Sequence, residues 1–295
     1  MLVSPRPGVD RQNLLRTLRE LHSDVFNVRS LGGPDAYRWL LAYLDWTSDA
    51  VRMLGNQVSS ADLDRLVLTK GYEQLLSGVG SWAGHMTEVQ RVVNGLVSAE
   101  LDQRVAAFDE AIKALNEQMN RWALLGDFVV PDSSFFIKHP QKLEEVDFAS
   151  LPLDNPGTRV HVLVPIAVVD ELDRLKDTGR NNQVRWRAGY TVAVLDRVFQ
   201  RTTGPVMLRS EDSSELDSRG APKAIEVTIE MLFDPPGHVR LPITDDEIIA
   251  RVLAIAPLAA RKVTLLTYDT GQSARARAAS LPVVKLTKPI GEEPT

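Results

Sequence analysis

Four stretches of this sequence place a carboxylate just past a short apolar run or in the first turns of a helix. Asp132 follows the run Phe128–Pro131, in Val-Val-Pro-Asp-Ser-Ser. Glu171 comes six residues after Pro165, which itself closes the β-branched run Val160–Val164. Asp269 ends Leu-Leu-Thr-Tyr-Asp, after Val263–Leu266. Asp245 and Asp246 open a predicted helix over Asp245–Ala256, with Glu247 behind them. In open α/β sheets, ligands bind beyond the carboxyl ends of the strands, so these acids are expected at one end of one sheet. Gathered carboxylates repel and raise each other's pKa, and a bound cation is the usual compensation. Oxygen ligands without cysteine or paired histidine suit Mg²⁺ or Mn²⁺ better than zinc. Such ions activate water and stabilise the oxygens of an in-line phosphoryl displacement. The chemistry implied is phosphodiester hydrolysis.

Taken singly, each acid has a plainer reading. Asp132 fits an N-cap, Asp245 and Asp246 fit first-turn acids that answer the helix dipole, and Asp269 fits a turn before Gly271. Glu171 sits in a helix whose Asp170 and Asp173 read as a solvated face. Their joint placement at strand ends is what carries weight.

The elements that must position these residues fall in the second half of the chain. From Asp127 onward, apolar runs alternate with helical stretches at Ile166–Lys176, Val184–Gln200, Asp245–Ala256 and Ser273–Ala279, and a last run spans Val283–Leu286. Alternation of this kind predicts an α/β domain over 127–295, three-layered, with a parallel sheet covered by helices on both faces. Residues 203–243 break the rhythm and read as an insertion or β-ribbon around Val206–Arg209 and Ala224–Leu232. Residues 1–126 read instead as an all-α domain. Trp39, Tyr43 and Trp46 share one helix face, and Leu101, Val105, Phe108, Ile112, Leu115 and Met119 form a stripe of alternating four- and three-residue steps. The stripe fits a helical bundle core, a protein-partner surface or a homodimer interface. Leu31–Pro34 and Gly78–Gly84 read as connections between helices. Trp39, Trp46, Trp82 and Trp122, four of the five tryptophans, fall in this half.

The residues of 127–288 resemble a PIN domain, the metal-dependent nuclease fold of VapC-type toxins and RNA-processing factors. The matching pieces are Val130-Pro131-Asp132-Ser133-Ser134, Val164-Pro165-Ile166 running to Glu171-Leu172-Asp173, Asp245-Asp246-Glu247-Ile248-Ile249, and Leu265-Leu266-Thr267-Tyr268-Asp269. The resemblance implies a nuclease in which Asp132, Glu171, Asp245 and Asp269 are the catalytic acids and hold Mg²⁺ or Mn²⁺, with Asp246 an alternative to Asp245. It implies that Ser133 and Thr267 orient those carboxylates through hydrogen bonds. It also implies RNA rather than DNA as substrate. Ser134 stands where many members carry Asn, and 203–243 is longer than in minimal members. Two other classes stay open: an RNA-binding or regulatory scaffold of negligible turnover, and a toxin-like nuclease held by a partner.

Charge narrows the partners. Lys plus Arg number 34 against 39 Asp plus Glu, a formal net charge of −5, which excludes a wholly basic nucleic-acid binder. The segment Arg174–Arg201 is nevertheless locally basic: Arg174, Lys176, Arg180, Arg185, Arg187, Arg197 and Arg201 face only Asp177 and Asp196. Arg174, Lys176, Arg180, Arg185 and Arg187, with Arg275 and Arg277, are the expected contacts to nucleic-acid phosphates. Trp186 and Tyr190 lie among them, and an aromatic there either stacks on an unpaired base or belongs to the core. His238 lies seven residues before Asp245 and reads as a loop residue or an approach to the site. There is no cysteine, which removes disulfides, thiolate zinc sites, iron–sulfur clusters and cysteine nucleophiles. No apolar run approaches the ~20 residues of a membrane span, and the opening MLVSPRPGVDRQ lacks an apolar signal core. A cytoplasmic location is the expectation.

Overall fold

A computed structural model describes residues 3–32, 35–82, 87–123, 126–153, 159–202, 204–216, 222–235 and 237–287. Contacts divide the chain into two compact units, Met1–Arg121 and Trp122–Thr295.

The first unit is helical: α1 (Arg11–Ser30), α2 (Ala36–Leu54), α3 (Ser60–Leu66), α4 (Lys70–Trp82) and α5 (Thr87–Arg121). Asp10 starts α1 by accepting from the Asn13 amide at 2.7 Å, the usual use of a short polar side chain at a helix start. Leu101, Phe108, Leu115 and Met119 of the α5 stripe are buried, and Trp46 meets Phe108 edge-on at 5.8 Å. Gly78 and Gly80 do not form a connection. They lie inside α4, where packing outweighs the ~1 kcal/mol that a glycine costs a helix. The residues of the expected connection that follow Trp82, and Gly33–Pro34 of the other, lie outside the described residues.

In the second unit the elements are β1 (Asp127–Pro131), α6 (Ser133–Lys138), β2 (Val160–Pro165), α7 (Ile166–Thr178), α8 (Asn182–Val198), β3 (Val206–Arg209), β4 (Asp212–Leu216), β5 (Pro222–Ala224), β6 (Val227–Leu232), α9 (Thr244–Ala259), β7 (Val263–Thr267), α10 (Thr270–Ala278) and β8 (Val283–Lys285). Six strands make one sheet in the order β3-β6-β2-β1-β7-β8. All neighbours are parallel except the edge strand β3, which runs antiparallel to β6. The fold is the expected α/β/α arrangement around a mostly parallel sheet. The central strands β1 and β2 are buried along nearly their whole length. That is why they read in sequence as unbroken apolar runs rather than as alternation. Trp122 belongs to this unit, so three of the five tryptophans lie in the helical one.

The stretch 203–243 is not an insertion as a whole. β6 is an interior strand, paired in register with β2 from Val160↔Val227 to Pro165↔Leu232. Its polar residues disguise it. Glu230 is buried, and it receives the Trp122 indole N–H at 2.9 Å and lies 3.1 Å from His161 Nε2. His161 is itself fully buried and bonds Thr228 through Nδ1 at 2.8 Å. A buried polar group is tolerated when it is hydrogen-bonded in this way. Among the described residues, only the β4–β5 ribbon stands apart from the main sheet.

Candidate active site

The strand register sets the site. Pro131 pairs with Leu266, and the Asp132 amide donates to the Leu266 carbonyl at 3.0 Å. Asp132 therefore leaves β1 beside the end of β7, next to Thr267. Its side chain caps α6 by accepting from the Phe135 amide at 2.8 Å. The Ser134 hydroxyl donates to Asp132 Oδ1 at 2.7 Å, and the Thr267 hydroxyl donates to Oδ2. The plain capping role is therefore filled by this residue, and its carboxylate is held by two hydroxyls besides. Asp132 is only 4% exposed. Burial pushes its pKa above the usual carboxylate range, three hydrogen bonds pull it back, and the nearby negative charge of Glu171 raises it again. Glu171 projects from α7, which starts directly at the end of β2.

Thr267 links two acids. It donates to Asp132 and accepts from the Asp269 amide at 2.8 Å. Asp269 caps α10 through the Gln272 amide at 2.9 Å. The Gln272 side chain donates to the Asp245 carbonyl at 3.3 Å and so ties the start of α9 to α10. Asp245 is raised in pKa by burial first and then by Asp269, against the opposing pull of Arg275. Asp246 turns toward Arg275, at 2.9 Å, while Asp245 lies 3.8 Å from the same guanidinium. Of the doublet, Asp245 is the one in the field of Asp269.

Two expectations about orienting groups divide. Thr267 donates to Asp132. The serine that holds it is Ser134, not Ser133, because the second residue after an N-cap can fold its hydroxyl back onto the cap. Ser134 also accepts from the Tyr268 amide at 2.8 Å, so one hydroxyl braces both strand ends. The second hydroxyl of Pro-Asp-Ser-Ser was the available signal.

The acids thus meet in two electrostatic pairs, Asp132 with Glu171 and Asp245 with Asp269. Among the described residues, these acids do not bring three ligand atoms within 4.8 Å of one another; Asp234, His238 and Glu247 do. That second trio lies in the β6–α9 connection and at the start of α9. Its charges are already matched. His238 Nε2 lies 2.7 Å from Glu247 Oε1, Leu241 N donates to Glu247 Oε2 at 2.9 Å, and Arg240 joins Asp234 and Asp170 at 2.6 Å each. Arg251 also feels both Asp234 and Glu247. The trio is a network that fixes the chain before Asp245. Arg240 and Glu247 gain a role only from these contacts; the signal for them in the sequence is His238 and Arg240 just before an acidic helix start. An open cleft of about 240 Å³ lies beside this network, lined by Glu171, Arg174, Arg240 and Thr244 among others.

The basic segment does not behave as one patch. Arg187 is 8% exposed and donates to the carbonyls of Phe136 at 3.1 Å, His139 at 2.6 Å and Gln141 at 2.8 Å. It acts as a structural residue, because it is buried and three of its N–H donors are committed to carbonyls inside the unit. Lys176 pairs with Asp173 at 2.6 Å, and Arg275 is taken by the Asp245–Asp246 doublet. Arg174, Arg180, Arg185 and Arg277 stay exposed.

Because Asp132 is raised in the folded chain, its ionised form is disfavoured by folding. Stability from this group is full below its unfolded pKa of about 3.9 and is lost as pH rises through the higher folded value. The stability difference between Asp132→Asn and the parent, measured by thermal unfolding without divalent cations, is therefore expected to shift in favour of Asn as pH rises through that window. A difference that is flat, or that shifts toward the parent, would contradict the burial of an uncompensated charge.

A family model described as a PIN domain matches residues 129–287. The chain belongs to the PIN domain family, whose members are generally nucleases and generally use divalent metals. A comparison with curated proteins gave no match. No helix among the described residues is long and apolar enough to cross a membrane.

Proposed function

We propose that this chain is a divalent-metal-dependent ribonuclease whose reaction centre is formed by Asp132, Glu171, Asp245 and Asp269. The observation that carries the reading is Asp132: a buried carboxylate at the end of a central strand, gripped by three donors yet raised in pKa by burial and by a second acid. Natural interiors seldom keep such a charge without a counter-charge. The donor set is all oxygen, which suits Mg²⁺ or Mn²⁺. Gln272 Oε1, buried with no hydrogen-bond partner, adds an unsatisfied oxygen beside Asp245 and Asp269. When bound, the ion supplies charge neutralisation at the phosphoryl oxygens and a more acidic water.

The chain's own residues do the rest. Thr267 and Ser134 fix the Asp132 carboxylate so that both oxygens hold one orientation. Arg275 restrains Asp246 and leaves Asp245 facing Asp269. Arg174, exposed on the cleft beside Glu171, offers positive charge to the backbone of a bound strand. RNA is the preferred substrate on the family likeness. The non-catalytic reading, an RNA-binding scaffold, draws on the separation of the acids into two pairs.

Cleavage of labelled single-stranded RNA with matched DNA, in Mn²⁺, in Mg²⁺ and in EDTA, decides between them. Cutting that needs the metal supports the nuclease. Tight binding with no cutting in either metal supports the scaffold.

Two further outcomes are expected. Asp245→Asn should cost at least about 10²-fold in kcat/KM, near 3 kcal/mol at ~1.36 kcal/mol per decade. Asp246→Asn removes only a half-exposed ion pair, worth about 0–1 kcal/mol, and should cost less than about tenfold. Equal losses would place Asp246 in the centre. Saturating Mn²⁺ at ~100 times its Kd should add about 2.7 kcal/mol, roughly 5–10 °C in Tm for a unit of this size. Asp269→Asn should lose most of that shift in a thermal scan.

A further inference from the structure

Trp186 is 54% exposed, so the core reading of this residue fails. It is also not loose. Its ring stacks on Tyr190, one turn further along α8, with centroids 5.4 Å apart and planes 21° from parallel. Tyr190 is held in turn from two further directions. Its hydroxyl donates to Glu144 Oε2 at 2.7 Å, and the Lys142 ammonium lies 5.4 Å from its ring centroid. The result is a flat aromatic surface, ordered in advance, with one face of Trp186 turned outward. Preordering of this kind removes much of the entropy cost of binding.

The charge around it selects the occupant. The nearest carboxylates are spoken for: Glu144 pairs with Arg197 and Glu145 with Lys142 at 3.1 Å. On the same helix hairpin, Arg180 and Arg185 are exposed. Asp177 and Asp196 oppose them but leave the local balance positive. Arg185 also donates to the Gly179 carbonyl at 3.1 Å and to Asn182, and Arg180 lies exposed at the hairpin turn. An aromatic plane on a helix hairpin with exposed guanidinium groups matches a base with its phosphate, and only an unpaired base offers its face.

We infer that Trp186, backed by Tyr190, is a stacking platform for an unpaired nucleobase of a single strand. This rests on the nuclease reading and adds a binding site outside the four acids. Residues 179–181 turn the chain back so that α8 packs on α7, and a Cβ on Gly189 would lie 3.8 Å from Lys176. With Gly189 level with Lys176, Trp186 stands about eight residue rises, roughly 12 Å, from Glu171 along the helices. The platform therefore grips a base away from the cut bond and acts on strand affinity.

The test uses the intact 295-residue chain carrying Asp269→Asn, so that bound strand is not consumed. Affinity is measured for an oligouridine strand, for an abasic strand of the same length and for a blunt duplex. Adding Trp186→Ala should weaken the oligouridine about 5- to 100-fold, in line with ~1–3 kcal/mol per stacked base, and leave the abasic strand and duplex nearly unchanged. Trp186→Phe should recover most of the loss. Tyrosine and tryptophan emission should be quenched by oligouridine, and the quench should fall in Trp186→Ala. Unchanged affinity in Trp186→Ala, an equal loss on the abasic strand, or a change only in self-association by light scattering overturns the platform and leaves the nuclease reading intact. Failure of the Asp269→Asn chain and of the parent in EDTA to bind any strand overturns both.

Discussion

Asp132→Asn is expected to lose at least about 10³-fold in kcat/KM for RNA cleavage, with Asp269→Asn losing a comparable factor. The magnitude follows from the several kcal/mol of charge stabilisation that a bound ion gives a phosphoryl transition state, at ~1.36 kcal/mol per decade. The two variants report differently on structure. Asp132 is buried and accepts from Phe135, Ser134 and Thr267. An amide there keeps the size but must turn its NH₂ toward a donor, so part of the loss arises through a displaced α6. Asp269 is exposed, and Asn caps helices as well as Asp does. Its loss is therefore free of misfolding, and a thermal scan near the parent's Tm confirms that. Retention of full activity in Asp269→Asn at matched purity would remove it from the reaction centre, and retention in both would remove the metal mechanism.

Most of what places these acids was legible in the sequence because it is local. An unbroken apolar run followed by a proline and an acid marks a buried parallel strand and its carboxyl end. β1 and β2 carry that pattern, β7 runs into Thr-Tyr-Asp without the proline, and α7 and α9 begin within a residue of where their periodicity predicts. What was hidden depends on distant partners. Glu230 in β6 looks like a surface residue until His161 and Trp122, 69 and 108 residues away, are seen to satisfy it. The choice between Ser133 and Ser134 turns on which hydroxyl folds back over the cap, and the choice between Asp245 and Asp246 turns on Arg275, 29 residues on from Asp246. Spacing along the chain carries no information about these angles. The α4 glycines show the converse: a local signal for a break was outweighed by packing.

The basic segment separates in the same way, and mutation should expose the division. Arg187→Ala is expected to destabilise the second unit by at least about 3 kcal/mol, while Arg180→Ala leaves stability within about 0.5 kcal/mol. Arg187 spans from α8 to three carbonyls at and beyond the end of α6. Hydrogen bonds from a charged donor contribute about 1.5–3 kcal/mol each, and a buried carbonyl left without a donor costs about 1–3 kcal/mol. The loss is thus several times that of a surface arginine. It also bears on function, because the chain from Asp132 to Gln141 is the one that Arg187 holds from below and Thr267 from above. Arg187→Lys should recover little, since one ammonium cannot reproduce a planar fork aimed at three acceptors. Urea denaturation of the three variants is the measurement. If Arg187→Ala unfolds at the parent's midpoint but binds single-stranded RNA more weakly, the residue is a phosphate contact after all. A lowered midpoint with an unchanged m-value assigns it to the scaffold that keeps Asp132 in place.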